Sequence, residues 1–325
     1  MIGARFIDFS SRVAKRGMGE GKGYGKVILF NEHFVVYGIP CIVSSIDRYT
    51  TCRVERTHGS GWIVEDLRPS TPGYKEDKLE QQKDSINRIL AAMNIEPRDF
   101  CLKITFGGNL VAASGIGASA ASCVALARAL SNEFNLNLND DRINEIAYEG
   151  EKAYHGSPSG VDNAAATYGG VLWFIRGNPP TIERLRLAGS VEILMADTGI
   201  VADTSKVVAS VRERMNREKE KFDKIFAQAR ELAYEAREAL LSMDLKKVGE
   251  LMIENHRLLQ EIGVSSRDLD RLVEIALDAG ALGAKMTGGG WGGNIVALAP
   301  GEDLQEKVAQ AIEKEGYKVL KTKIW

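Results

Sequence analysis

Two carboxylates, Glu151 and Asp162, flank the run His155–Ser159 in the segment GEKAYHGSPSGVDN. The pattern places Glu151 near the end of a helix and lets Asp162 open the next one after Pro158-Ser159-Gly160. Brought into one cleft, such a pair suits phosphoryl transfer. One acid would hold Mg²⁺ and the other would orient or deprotonate an acceptor hydroxyl. The plain alternative is a surface helix acid beside a helix-capping aspartate.

Three glycine-bearing segments accompany the pair. Ser114-Gly115-Ile116-Gly117-Ala118-Ser119-Ala120 lies between a strand pattern and a long helix pattern. Its glycines permit close backbone approaches, and Ser119 opens a helix whose free N–H groups would favour a phosphate. Ser114, Ser119 and Ser122 add hydroxyls, one of which could ligate a phosphate-bound Mg²⁺. The run also satisfies the loose dinucleotide fingerprint, but no second parallel strand ending in an acid follows it. No GK[ST] follows, so it is not a Walker A loop. A tight turn closing a helix on a strand is the other reading.

The second segment, GKVILFNEHFVVYG, begins a strand at Lys26 and sets Glu32 and His33 at its end, suited to a hydroxylated substrate. Taken alone, Lys26 could be an edge lysine and Glu32 a capping acid. In the third segment, five of the six residues after Thr287 are glycine, interrupted by Trp291. Gly288–Gly290 therefore suit a loop pressed against a ligand or another backbone rather than a linker, because apolar strand residues follow at once.

The elements that must position these residues form a mixed pattern without regular βαβα alternation. Strands are predicted at Gly25–Phe30, Cys41–Arg56, Phe100–Phe106, Gly170–Arg176, Val191–Ala196, Asn294–Ala299 and Tyr317–Lys323. Helices are predicted at Lys78–Met93, from about Ser119 to Phe134, and from an Asn139 or Asp140 cap to about Tyr154. In the second half they are predicted over Thr204–Met243, Leu245–Glu261, Asp268–Ala279 and Leu304–Lys314. Arg68–Asp77 reads as a surface loop and the charge run Arg212–Lys224 as a solvated helix face.

A chain of 325 residues, 44% hydrophobic and 26% charged, has the composition of a globular protein with room for two domains. A net charge of −2 argues against nucleic acid or an anionic membrane as partner. No apolar run reaches the roughly 18 residues a spanning helix needs. Cys41, Cys52, Cys101 and Cys123 form no CxxC pair and read as buried free thiols, which fits a cytoplasmic protein. Four scattered histidines without HExxH argue against zinc. Residues 1–20, with Arg5, Arg12, Lys15 and Arg16 but no apolar core, read as a leader; a short organellar presequence is the other reading.

In their order along the chain, these segments resemble the galactokinase–homoserine kinase–mevalonate kinase–phosphomevalonate kinase (GHMP) superfamily over roughly residues 24–293. The likeness is nearest to mevalonate kinases, above all the short trypanosomatid form, through GYGKVILF, HGSPSGVDN, ATYGG and GALGAKM. The resemblance implies an α+β fold in two domains, 21–180 binding ATP and 181–325 following. The first would contain a left-handed βαβ crossover, and the second would be ferredoxin-like. It implies Asp162 as catalytic base, Lys26 as its electrostatic partner, and Ser119 and Glu151 as Mg²⁺ ligands. Gly115, Gly117 and Ser119 would cradle the phosphates, with Gly288–Gly290 closing on them; Glu32, His33 and Asp162 would face the acceptor.

The implied activity is ATP-dependent phosphorylation of mevalonate. The alternatives are another acceptor (a sugar, homoserine or a phosphorylated mevalonate) and a catalytically silent sensor. ATP and the alcohol are the expected partners, and a homodimer is the expected assembly. Two positions depart from the family pattern. Asn31 stands where a glycine is usual and Trp291 where a small residue or arginine is usual. Asn tolerates positive φ, so the turn survives, and its amide would meet substrate or a neighbouring loop. The indole would narrow the pocket or pack under the nucleotide.

Overall fold

The computed structural model describes residues 18–113 and 115–325. The expected leader lies outside the described residues as far as residue 17, as does Ser114. Gly19 and Glu20, placed in that leader by the sequence, are already in the first strand.

Strand β1 (Gly19–Phe30) is twice as long as the predicted Gly25–Phe30. Its added half carries glycine at 19, 21 and 23, all on one face, and helix α3 (Ala118–Glu133) lies against that face. A Cβ at Gly19, Gly21 or Gly23 would stand 2.1, 2.1 and 2.2 Å from the carbonyl oxygens of Ala129, Ala125 and Ala121. Two residues along a strand and four along a helix span nearly the same distance, about 6.6 and 6 Å. The alternating glycines thus track every fourth residue of the helix, and bare strand backbone lies directly on an alanine-rich helix.

The rest of the first half assembles around β2 (Cys41–Thr57). One edge of β2 takes β1, antiparallel from Gly19↔Val54 to Phe30↔Ile42. The other edge takes β5 (Val171–Ile175) at Cys41–Ser44 and β4 (Cys101–Gly108) at Thr50–Thr57. β3 (Gly61–Asp66) runs parallel to β4, with α1 (Tyr74–Asp77) and α2 (Leu79–Ala92) between them, and β6 (Thr181–Leu185) pairs with β5. Helices α2, α3, α4 (Asp140–His155) and α5 (Val161–Tyr168) pack together in this half. Asn139 caps α4, its side chain accepting from Arg142 N.

The second half runs β7 (Val191–Asp197), α6 (Thr204–Arg217), α7 (Lys219–Leu241), α8 (Leu245–Glu261) and α9 (Arg267–Asp278). It ends with β8 (Gly283–Thr287), β9 (Asn294–Leu298), α10 (Glu302–Lys314) and β10 (Lys318–Ile324). Its antiparallel sheet has the order β10-β7-β9-β8, which is the ferredoxin-like arrangement of a βαββαβ chain. The charged stretch 212–224 lies on the outside of α6 and α7, apart from buried Phe222.

The halves meet along two seams. At one, the Thr287 hydroxyl accepts from Ile28 N at 3.2 Å and donates to Ile28 O at 3.0 Å. At the other, Arg48 donates to Lys321 O at 3.1 Å and Val171 N to Trp325 O at 3.0 Å. All four cysteines are buried and unbridged. Among the described residues no helix is long and apolar enough to cross a membrane.

Candidate active site

Lys26 projects from β1 with its side chain 4% exposed, and its ammonium stands 3.3 Å from Asp162 Oδ1. Asp162 occupies the first turn of α5, after Gly160 at φ 89°. The backbone N–H of Lys26 donates to Ile116 O at 3.0 Å, tying the first glycine loop to the same strand residue. Gly117 (φ 76°) precedes α3, and a Cβ there would lie 2.7 Å from Lys26 Cγ. That position requires glycine for both its conformation and its space.

The first intrahelical bond of α3 runs from Ala121 N to Gly117 O, so the N–H groups of Ala118, Ser119 and Ala120 have no acceptor within the helix. The Ser119 hydroxyl lies near enough to the Glu151 carboxyl, which is 1% exposed, to favour its charged form. Cys123 Sγ donates to Glu151 Oε1 at 3.8 Å, and His155 Nε2 lies 3.8 Å from Oε2. Burial, and then the negative charge of Asp162, push the Glu151 carboxyl up to about 8. A buried carboxylate short of positive charge, beside a serine hydroxyl, is a hard-oxygen donor pair that suits Mg²⁺. The Ser122 hydroxyl is otherwise engaged, donating to Ala118 O and accepting from Arg68.

Residues 69–73 are exposed, as the surface-loop reading expects, but Arg68 at the head of the segment is not. It is 6% exposed, grips Asp66 through Nε and Nη2, and donates to Ala118 O at 3.3 Å. With Tyr74, Lys75, Lys78 and Tyr154 it lines a small cleft against Ser119. A loop rich in proline and glycine concealed this, because an isolated arginine in such a stretch looks solvated.

Glu32 and His33 are both buried. Glu32 pairs with Lys285 of β8, whose ammonium also donates to Met286 O at 2.7 Å. Burial pushes the carboxyl up and the ammonium down, and each charge works against the shift of the other. Burial likewise lowers His33 to about 4, so its ring is neutral near pH 7. Facing the Gly289 carbonyl at 3.0 Å, Nε2 must carry the proton and donate. His33, expected at the substrate, thus spends that nitrogen on the third glycine loop. Sequence reasoning missed Lys285, whose one trace was a lysine inside an apolar run.

The third loop meets the first: a Cβ on Gly288 would lie 3.9 Å from Gly115 Cα. Gly289 presses on Thr204 and Gly290 on Val264 O. Trp291, at φ 56°, donates from N to Val264 O at 2.8 Å and from Nε1 to Gly263 O at 2.9 Å. Its indole nitrogen is therefore held at the turn between α8 and α9. Asn31 adopts φ 70°, as a glycine replacement there must, and its amide meets neighbouring backbone and Asn255.

Comparison with known proteins agrees with this arrangement. The GHMP kinases N terminal domain model matches residues 84–170, and the GHMP kinases C terminal model matches 236–318. The mevalonate kinase of Pyrococcus horikoshii is 34% identical over 310 residues, covering 90% of this chain and 91% of that protein. The chain belongs to the GHMP kinase family. Another relative, the mevalonate kinase of Aeropyrum pernix, is 35% identical over 298 residues, covering 89% of this chain and 91% of its own. Among solved structures, L. major mevalonate kinase in complex with R-mevalonate superposes with a TM-score of 0.92 at 39% identity. That match covers 97% of this chain and 98% of the other. This GHMP kinase is accordingly an ATP-dependent enzyme with the family's two-domain α+β fold. Its Lys26, Glu151, Asp162 and first glycine loop are brought together, with the third loop against them.

Proposed function

We propose that this GHMP kinase transfers the terminal phosphoryl group of ATP to the 5-hydroxyl of mevalonate. The observation that carries the reaction is the Lys26–Asp162 pair, 3.3 Å apart beside the loop that opens α3. The acceptor follows from the relatives named above, one of which was solved with R-mevalonate.

In this reading the phosphates sit against the N–H groups of Ala118, Ser119 and Ala120, where the helix end favours anions. Gly115, Ile116 and Gly117 let the nucleotide approach the backbone, and Gly288–Gly290 close from the other side. Ser119 and Glu151 would hold Mg²⁺, which neutralises charge on the phosphate oxygens. The acceptor hydroxyl gives its proton to Asp162 as its oxygen bonds to the terminal phosphorus and the bond to ADP breaks. Lys26 stabilises the negative charge shared by the attacking oxygen and the phosphoryl group. Glu32 and His33, fixed by Lys285 and Gly289, shape the acceptor end.

A coupled ADP-release assay over a panel of alcohols tests the acceptor. ADP should form with Mg-ATP and mevalonate, and little with galactose, homoserine or phosphomevalonate. Turnover of one of those others with silence on mevalonate would refute the assignment.

A further inference from the structure

The turn that carries Glu32 and His33 is closed by a side chain. Asn31 Nδ2 donates to Pro40 O at 2.7 Å, bridging the two ends of the excursion from 31 to 40. The same amide nitrogen donates to Ala229 O of α7 at 2.8 Å. Asn255 of α8 completes the set. Its Oδ1 accepts from Asn31 N at 3.1 Å, and its Nδ2 donates to Asn31 Oδ1 at 2.9 Å.

Both asparagines are 0% exposed. Their orientations are unambiguous, since the two carbonyls fix Nδ2 of Asn31 and the backbone N–H fixes Oδ1 of Asn255. Both amide hydrogens of Asn31 and its oxygen are used. A glycine at 31 would keep φ 70° and the bond to Asn255 Oδ1 but lose the others. It would take from Pro40 O and Asn255 Nδ2 their buried partner, the costly case for polar groups, and from Ala229 O the second bond it accepts beside that of its own helix.

We propose that Asn31 and Asn255 form a positioning lock, which sets Glu32 and His33 for the alcohol by tying their turn to the C-terminal helices. Glycine at a turn supplies conformational freedom and nothing else. Asparagine here supplies the same φ together with a tether to α7 and α8. The two residues after Asn31 add further ties to the same C-terminal half, Glu32 to Lys285 and His33 to Gly289 O. The turn is thus held at three consecutive residues, and its free movement is removed before the acceptor arrives. Preorganisation of this kind lowers the cost of binding the acceptor without altering the reacting groups.

The lock rests on the mevalonate reading, and one set of measurements separates the two. Steady-state KM for mevalonate, KM for Mg-ATP and kcat are determined for wild type, Asn31→Gly, Asn255→Ala and the double variant. Thermal melts run alongside to establish folding. Asn31→Gly should raise the mevalonate KM about fivefold to tenfold. Its kcat and ATP KM should stay within about twofold, because Lys26 and Asp162 are untouched. Asn255→Ala should do the same, and the double variant should be no worse than the more affected single one.

A wild-type mevalonate KM in Asn31→Gly would show that backbone conformation suffices, and overturns the lock. Parallel changes in kcat and both KM values would reduce it to general destabilisation, and overturn it equally. Failure of the wild type to turn over mevalonate instead sinks the acceptor assignment. The KM comparison then applies to whichever alcohol of the panel the wild type accepts.

Discussion

Glu151 shows at the scale of one residue how the site is tuned. It is buried beside Ser119 and Cys123, with Asp162 near enough to repel its charge, and its pKa is pushed up to about 8. In the unfolded chain it would ionise near the ordinary glutamate value of about 4.3. The folded state therefore holds a proton that the unfolded state releases between those values. The stability tied to neutral Glu151 is complete below pH ~4.3 and lost as pH rises through about 8. Urea unfolding of the ligand-free protein from pH 5 to pH 8.5 should show wild type losing stability relative to Glu151→Gln. The divergence should be on the order of a few kcal/mol; parallel curves would mean that the carboxyl is ionised throughout. Glu151 and Asp162 were legible in the sequence as a pair because they flank one short glycine- and proline-bearing run. Lys285 and Asn255 were not, because each finds its partner more than two hundred residues away.

The elements around the site owe their placement to small residues. α3 presents its N-terminus to the site because β1 offers it a face of bare backbone at Gly19, Gly21 and Gly23. Gly21→Ala would put a methyl carbon 2.1 Å from Ala125 O, and neither backbone can yield without moving the helix. The variant should lose roughly 2 kcal/mol or more in chemical denaturation, and its kcat should fall as α3 shifts from Lys26. Wild-type stability would show that strand and helix are not held in this contact. The long helices were readable from their apolar period. The missed strands β3 and β6 are the two ends of the six-stranded sheet order. Their alternation is weak because an edge strand buries little. β8 was hidden inside the glycine-bearing segment, though all five of its residues are buried.

Across the whole molecule, the candidate site lies at one of the two seams where the halves meet. Cys41, fully buried at the start of β2, lies close enough to Glu32, Lys285, Lys26 and Asp162 to be influenced by all four charges. One ion pair, Lys26–Asp162, lies within the first half, and the other, Glu32–Lys285, crosses between halves. The order of the three glycine segments made the resemblance legible, but not which strand edges they would share. Thr287 against Ile28 and His33 against Gly289 are consequences of topology, which local pattern does not encode. In the proposed reaction Asp162, paired with Lys26, takes the acceptor proton. That role is tested most directly by kcat for mevalonate phosphorylation in Asp162→Asn, with nucleotide affinity measured by titration on the same preparation. The prediction is a fall in kcat of at least about 100-fold with ATP affinity within a few-fold of wild type; kcat near the wild-type value would contradict it.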